Sequence, residues 1–367
     1  MTDQSRGGRI RATGTRRKKP GTRSRATTAA AWSAAALVLV GGSGLGYAYI
    51  KLNGNIQGVD INARLGTDRP VDVDNGSMDI LVLGSDSRSG DNAEYGTDQG
   101  GARSDTAMIM HVNEGHRTAS VVSVPRDTIV ERPDCQDDKG ATAAGEQRAM
   151  FNTAYEVGGP ACAVKTVETM SGIRMDHYIE VDFTGFKQLI DDLGGVKITT
   201  NEAIDDSKSQ LKLAPGTHTL DGEQALALVR TRTSVGDGSD LGRIQLQQAF
   251  IKALITQVKD IGLLSSPKKL YDVADSATRA ITPDSELDSV RELVGFAGGL
   301  KSLGAKDVNM ITLPVEYDPA DPNRVVPLEK ESEQVWTALR ADKPVPASAT
   351  EESAGDKGDA SGVVAGG

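Results

Sequence analysis

Residues 28–50, "TAAAWSAAALVLVGGSGLGYAYI", carry no charged side chain, and this one run separates two very different parts of the chain. At ~1.5 Å rise per residue, a helix of that length just crosses a hydrocarbon layer of ~30 Å. Trp32, Tyr47 and Tyr49 stand near its ends, where amphipathic rings favour the membrane–water interface. The residues before it hold nine Lys and Arg against a single acid, Asp3. A basic head beside an apolar span stays on the cytoplasmic side. The sequence therefore predicts a cytoplasmic head over 1–27, a transmembrane helix over 28–50, and everything after Lys51 outside the cell membrane. A cleaved signal peptide is the competing reading. Its apolar stretch is shorter and ends at a small-x-small site, for which Gly44-Leu45-Gly46 would serve.

Charge and cysteine usage narrow the external part. The net charge of −10 hides an asymmetry, since the head holds nine of the 41 Lys and Arg but one of the 51 acids. The only basic cluster thus lies beside the membrane span, where setting orientation is role enough, and nucleic acid is not an expected partner. Cys135 and Cys162, the two cysteines of the chain, both fall on the external side. In an oxidising compartment an even pair reads as a disulfide, worth ~3 kcal/mol in the chain-entropy model for a loop of this length.

Residues 51–76 are polar and lack sustained periodicity, as a stalk would be. The last stretch, 341–367, is rich in Ala, Gly, Ser and Pro and reads as a disordered tail. Between them, 77–340 form one external domain. Continuous apolar runs at 78–84, 106–112 and 119–125 predict buried strands, the last two joined by a short turn. "PACAVKTVETMSG" predicts a helix stopped by Gly172. A strand over 177–183, a helix with Phe183, Phe186, Ile190 and Leu193 at helical spacing, a strand over 196–200, two more helices and a late strand over 307–315 follow. That order predicts an α/β fold with a mixed central sheet and helices on both faces.

Standard catalytic signatures are absent. The four histidines form no H-E-x-x-H, no G-x-S-x-G appears, and "GLKSLGAK" lacks the lysine of a phosphate loop. What recurs is arginine with aspartate where strands end: Asp86 and Arg88 after "LVLG", Arg103 and Asp105 before "TAMIMHV", Arg126 and Asp127 after "VVSVP". Further along come Arg230, Arg232, Asp240, Arg243, Gln247 and Gln248. Open α/β sheets bind ligands where strands end. Arginine forks suit phosphate oxygens, and several converging arginines repel one another without an anion between them. Two neighbouring carboxylates add nothing to phosphate binding unless a divalent cation stands between them, and Mg²⁺ takes one or two carboxylates plus substrate phosphates. The pattern points to a Mg²⁺–pyrophosphate site (Mn²⁺ would substitute), with Asp86 and Asp105 on the metal. Each Arg/Asp couple alone is also what a surface ion pair looks like, worth at most ~1 kcal/mol.

At these residues the chain resembles the LytR–CpsA–Psr family. "DILVLGSDSR", "RSDTAMIMHV", "VVSVPRDT", "FNTAYEVGG", "VDFTGFKQLIDDLGGVKI", "LDGEQALALVRTR" and "DLGRIQLQQAFI" are similar to successive family motifs, in the family's order, over residues 77–260. The resemblance implies a phosphotransferase that moves a glycopolymer from a polyprenyl-pyrophosphate carrier to peptidoglycan, forming a phosphodiester. It implies Mg²⁺ ligands at Asp86 and Asp105, and pyrophosphate contacts at Arg88, Arg103, Arg126, Arg230, Arg232, Arg243 and Gln247. Arg126 and Asp86 are the expected catalytic residues, Arg126 for charge stabilisation; Asp86 could take the acceptor proton, but a metal-bound carboxylate is a weak base, so Asp127 or no dedicated base are the alternatives. The polyprenyl tail is expected in an apolar tunnel lined by Val164, Val167, Phe183, Phe186, Ile190 and Phe250, residues that ordinary core packing would equally explain. Met150 and Leu246 stand where many members carry basic residues, and the cysteine pair resembles that of actinobacterial members. A polyprenyl-pyrophosphate hydrolase, or a non-catalytic envelope scaffold that binds lipid carriers, are the alternatives.

Overall fold

The computed structural model describes residues 44–73, 75–85, 104–137, 140–232, 240–262, 265–351, 353–355 and 364–365. The chain divides into two units, 1–50 and 51–367. In the first, the described residues are helical, and among the described residues of the whole chain no helix is long and apolar enough to cross a membrane. The expected span over 28–50 falls mostly on residues outside those described.

The second unit is built on a six-stranded mixed sheet: β1 (Met78–Ser85), β2 (Ser104–Val112), β3 (Ala119–Val124), β4 (His177–Asp182), β5 (Ile281–Pro283) and β6 (Val308–Thr312), in the order β5-β4-β1-β2-β3-β6. β1 and β2, β2 and β3, and β4 and β5 pair antiparallel. β1 with β4 and β3 with β6 pair parallel. The C-terminal ends of β1, β3, β4 and β6 and the starts of β2 and β5 therefore meet at one edge, the edge where the sequence places its Arg/Asp couples.

The central strands read as unbroken apolar runs because both sheet faces are covered. Leu81, Leu83, Ile109, Val122 and Val124 face α1 (Phe151–Ser171) and the C-terminal helix Glu329–Arg340. Ile80, Met108 and Val121, one pleat step over, belong to the cluster on the opposite face. That face carries α2 (Phe183–Leu193), α3 (Gly222–Arg230), α4 (Asp240–Asp260), α5 (Pro267–Ala280) and α6 (Val290–Leu300). Local signals set the helix ends. Asp182 caps α2 by accepting from the Gly185 N–H, and Asp221 forms a capping box with Gln224 at α3. Gly172 ends α1 with φ of +64°. α1 starts nine residues before the predicted helix and kinks at Gly158–Gly159, just ahead of Pro160. The Cys135–Cys162 disulfide ties a short strand to α1, with Cα atoms 5.4 Å apart.

Two segments differ from their sequence expectation. The stretch read as a stalk is built into the domain: Ile56, Ile61 and Leu65 are buried, and Arg69 makes an ion pair with the buried Glu168 at 2.5 Å. The stretch read as tail from 341 packs through Gly355, and Val364–Ala365 pairs antiparallel with Thr199 and Thr200. Ala349 and Ser353 are buried, Ala354 N–H donates to Val315 O at 2.8 Å, and Gln245 Nε2 donates to Gly355 O at 2.8 Å. In both cases a few widely spaced apolar or small side chains find distant partners, which no local period reveals.

Candidate active site

The loop after β3 holds Arg126 in a fixed turn. Thr128 donates to Pro125 O through its N–H at 3.0 Å and its hydroxyl at 2.6 Å, and Asn152 N–H donates to Arg126 O at 3.1 Å. The Arg126 guanidinium lies 3.5 Å from Asp127 and 3.8 Å from Asp240 Oδ1. Asp240 opens α4, and Arg243, one turn on and almost wholly buried, reaches the same oxygen at 2.6 Å. Arg232, just past α3, approaches it at 4.0 Å. One carboxylate oxygen is thus faced by three guanidinium groups from three separate elements. Like charges held this close need an anion among them, and Asp240, with Asp127 beside Arg126, supplies two negative charges against three positive.

Beside this cluster lies a pocket of 210 Å³ whose lining includes Arg230, Arg232, Arg243, Lys208, Gln247 and Thr106, with Asp206 as the one carboxylate among the described residues that line it. Arg230 also lies over Phe183, 5.4 Å from the ring centroid, within cation–π range. Gln247 is buried and donates to Thr106 Oγ1 and Val229 O, each at 3.0 Å, so it braces α4 against β2 and α3.

A second cavity, of 360 Å³, opens under the same edge between the sheet and helices α2, α3 and α4. Its walls are apolar: Val82, Met108 and Met110 from the strands, Phe186 and Leu226 from the helices, with Phe250 behind. Thr106, Phe183, Val229 and Gln247 line both compartments. A cationic pocket and a greasy cavity therefore meet at a common neck, a shape suited to a molecule with a phosphate head and a hydrocarbon tail.

Of the expected tunnel residues, Phe183, Phe186 and Phe250 line this cavity. Val164 and Val167 do not. They sit on α1 in the core of the opposite sheet face. Ile190, fully buried, packs with Leu193, Val196 and Leu246 behind α2 and is not on the cavity wall either. Of the expected phosphate and metal residues, Arg126, Arg230, Arg232, Arg243 and Gln247 gather as described above. Asp86, Arg88 and Arg103 lie outside the described residues, and Asp105 is the second residue of β2. Among the described residues no group of three or more His, Cys, Asp or Glu is arranged to hold a metal ion.

Several residues here carry no mention in the sequence expectations. Lys208 and Ser209 come from a turn between two three-residue strands, where an aspartate followed by small polar residues could have signalled a fixed turn. Arg324 reaches Asp127 at 3.5 Å from the hairpin 315–327, and nothing local in "DPNRVV" marks it.

With that geometry in hand, comparison with known proteins is informative. Residues 48–341 match the model of the LytR_cpsA_psr family. The chain belongs to this family. Among curated relatives, it is 32% identical over 302 residues to the cell wall biosynthesis protein LcpA of Corynebacterium glutamicum, covering 74% of this chain and 57% of LcpA. The chain thus spans little more than half the length of that relative. It is 34% identical over 278 residues to the polyisoprenyl-teichoic acid–peptidoglycan teichoic acid transferase TagT of Bacillus subtilis, covering 73% of this chain and 80% of TagT. Among solved structures, TagT bound to LI-WTA superposes with a TM-score of 0.55 at 29% identity, over 75% of this chain and 96% of that one. YwtF (TagT) with bound octaprenyl pyrophosphate lipid gives 0.52 at 28% identity, with the same coverage.

Proposed function

We infer that this protein is a transferase that passes a glycopolymer from a polyprenyl-pyrophosphate carrier to a peptidoglycan hydroxyl. The observation that carries the inference is the cationic pocket joined to an apolar cavity through shared residues. Relatives named for teichoic acid transfer, and a relative's structure with octaprenyl pyrophosphate lipid bound, support it. The donor's two phosphates would lie against Arg126, Arg230, Arg232 and Arg243, and its prenyl chain among Phe183, Phe186 and Phe250.

In the reaction, an acceptor hydroxyl oxygen bonds to the sugar-side phosphorus while the bond from that phosphorus to the bridging oxygen breaks. Polyprenyl phosphate leaves with the bridging electrons, and the hydroxyl proton is lost to a base. Such transfers depend on positioning and on stabilising charge spread over phosphate oxygens. Arg126, on its hydrogen-bonded turn, would meet the developing charge, and removing one such donor typically lowers the rate by ~10²–10³. Asp127, or Asp86 through an oxygen not engaged with a metal, would take that proton.

Mg²⁺ fits the donor set expected of Asp86 and Asp105, because this ion needs only one or two carboxylates when substrate phosphates complete its shell. When bound it would neutralise phosphate charge. Membrane anchoring through 28–50, with the domain outside the cell, belongs to the same proposal and would set the site beside its lipid substrate.

The test is transfer from a lipid-linked donor to a peptidoglycan oligosaccharide by Arg126→Ala and Asp105→Ala. Both are expected to lose at least about 100-fold. Turnover near that of the unaltered protein in both would overturn the site, and release of free glycopolymer phosphate without conjugate would make the enzyme a hydrolase.

A further inference from the structure

The pocket holds a cation that the reaction just described does not use. Lys208 lies in the turn between strands Ile204–Asp206 and Leu211–Leu213, which pair antiparallel. An exposed lysine on a turn is ordinarily solvated and without a task. This turn, however, is pinned. Asp206 is 1% exposed. Its Oδ1 accepts the main-chain N–H groups of Lys208 at 2.8 Å and Ser209 at 3.2 Å. Its Oδ2 accepts the main-chain N–H of Arg232 at 2.9 Å. The Ser209 and Thr231 hydroxyls, 2.8 Å apart, add a second tie. Charge-assisted bonds of this kind are the strong ones. The turn and the end of α3 therefore form one piece, and whatever fixes Lys208 also fixes Arg232.

The lining residues give the piece a direction. The apolar cavity meets the pocket at Thr106, Phe183, Val229 and Gln247, while Asp206, Lys208 and Ser209 line the pocket alone. A prenyl diphosphate with its tail in the cavity has its prenyl-side phosphate at the shared residues. Its second phosphate then lies toward the wall that carries Lys208.

We propose that Lys208 binds the glycan-bearing phosphate of the donor in preference to the prenyl-bearing one, and that Asp206 is the positioning residue that holds Lys208 and Arg232 in one frame. This rests on the transferase reading of the same pocket and adds which phosphate the turn recognises.

Binding of geranylgeranyl pyrophosphate and geranylgeranyl monophosphate to the full chain in detergent tests it at constant ionic strength. Lys208→Ala is expected to weaken pyrophosphate binding about tenfold, the scale of one charged hydrogen bond, and to move monophosphate binding less than about twofold. Lys208→Arg should restore most of the difference. Asp206→Asn should lower the pyrophosphate preference in the unaltered background and do so less in a Lys208→Ala background, the coupling expected of groups acting together. Equal weakening of both probes by Lys208→Ala, or no change in either, would overturn the assignment of Lys208. Full additivity of the two substitutions would overturn the positioning role of Asp206. Should the unaltered protein bind neither probe, the transferase reading itself fails, a result distinct from the others.

Discussion

Asp240 and His111 show opposite uses of a carboxylate. At Asp240 one oxygen holds three guanidinium groups together before any phosphate arrives, which keeps the arginines gathered at modest electrostatic cost. At the far end of β1 and β2, two carboxylates hold one imidazole. His111 is buried, with Nδ1 at 2.8 Å from Asp79 and Nε2 at 3.0 Å from Asp342. Burial alone would push its pKa down, but the hydrogen bonds and charges of Asp79 and then Asp342 outweigh it, and the pKa is raised above its ordinary 6.5. A raised histidine pKa contributes stability that is fully present below the unfolded value and lost as pH rises through the folded value. The cost of His111→Ala in urea unfolding is therefore expected to be largest near about pH 6 and to shrink toward about pH 9. A pH-independent cost would refute the charged clamp. Arg126 was legible in the sequence because a strand end followed by Arg and Asp is a local signal, whereas Arg230, Arg232 and Arg243 lie on or just past helices and became legible through the resemblance. The Asp206 turn was not, because its meaning comes from Arg232, 26 residues away.

At the scale of elements, α2 does two jobs: its Phe183 and Phe186 line the cavity, and its other side packs on α5. The crossing is possible because Gly185 has no side chain. A Cβ there would lie 2.3 Å from the Ala280 Cα. Gly185→Ala should therefore push α2 and α5 apart and destabilise the domain by about 1–3 kcal/mol, as overpacking does, read as a lower urea midpoint. An unchanged midpoint would mean the helices separate freely. Elements themselves were easy to find from sequence, since apolar runs and glycine stops are periodic or local. Which face of the sheet each helix covers was not. Val164 and Val167 are placed elsewhere by the chain's path over the sheet, which puts α1 on the other face, and Ile190 by its position on the side of α2 turned from the cavity.

At the scale of the whole molecule, the ends of the domain are held by contacts made late in the chain. Asp342 clamps His111, Ser353 accepts the Val315 N–H at 3.2 Å, and Gly355 accepts from Gln245 on the helix that carries Asp240 and Arg243. Ending the chain at residue 340 should cost roughly 2–4 kcal/mol, from a few hydrogen bonds of about 1 kcal/mol each. Ending it at 355 keeps these contacts, so equal midpoints for the two truncations would show that the segment between them is a passenger. The neck common to pocket and cavity has its own consequence for turnover. Because Thr106, Phe183, Val229 and Gln247 border both compartments, the proposed transferase would hold its prenyl phosphate product in the same throat that the next donor must fill. On that reading product and substrate would be mutually exclusive guests, and the prenyl phosphate left after one transfer would compete with the next donor.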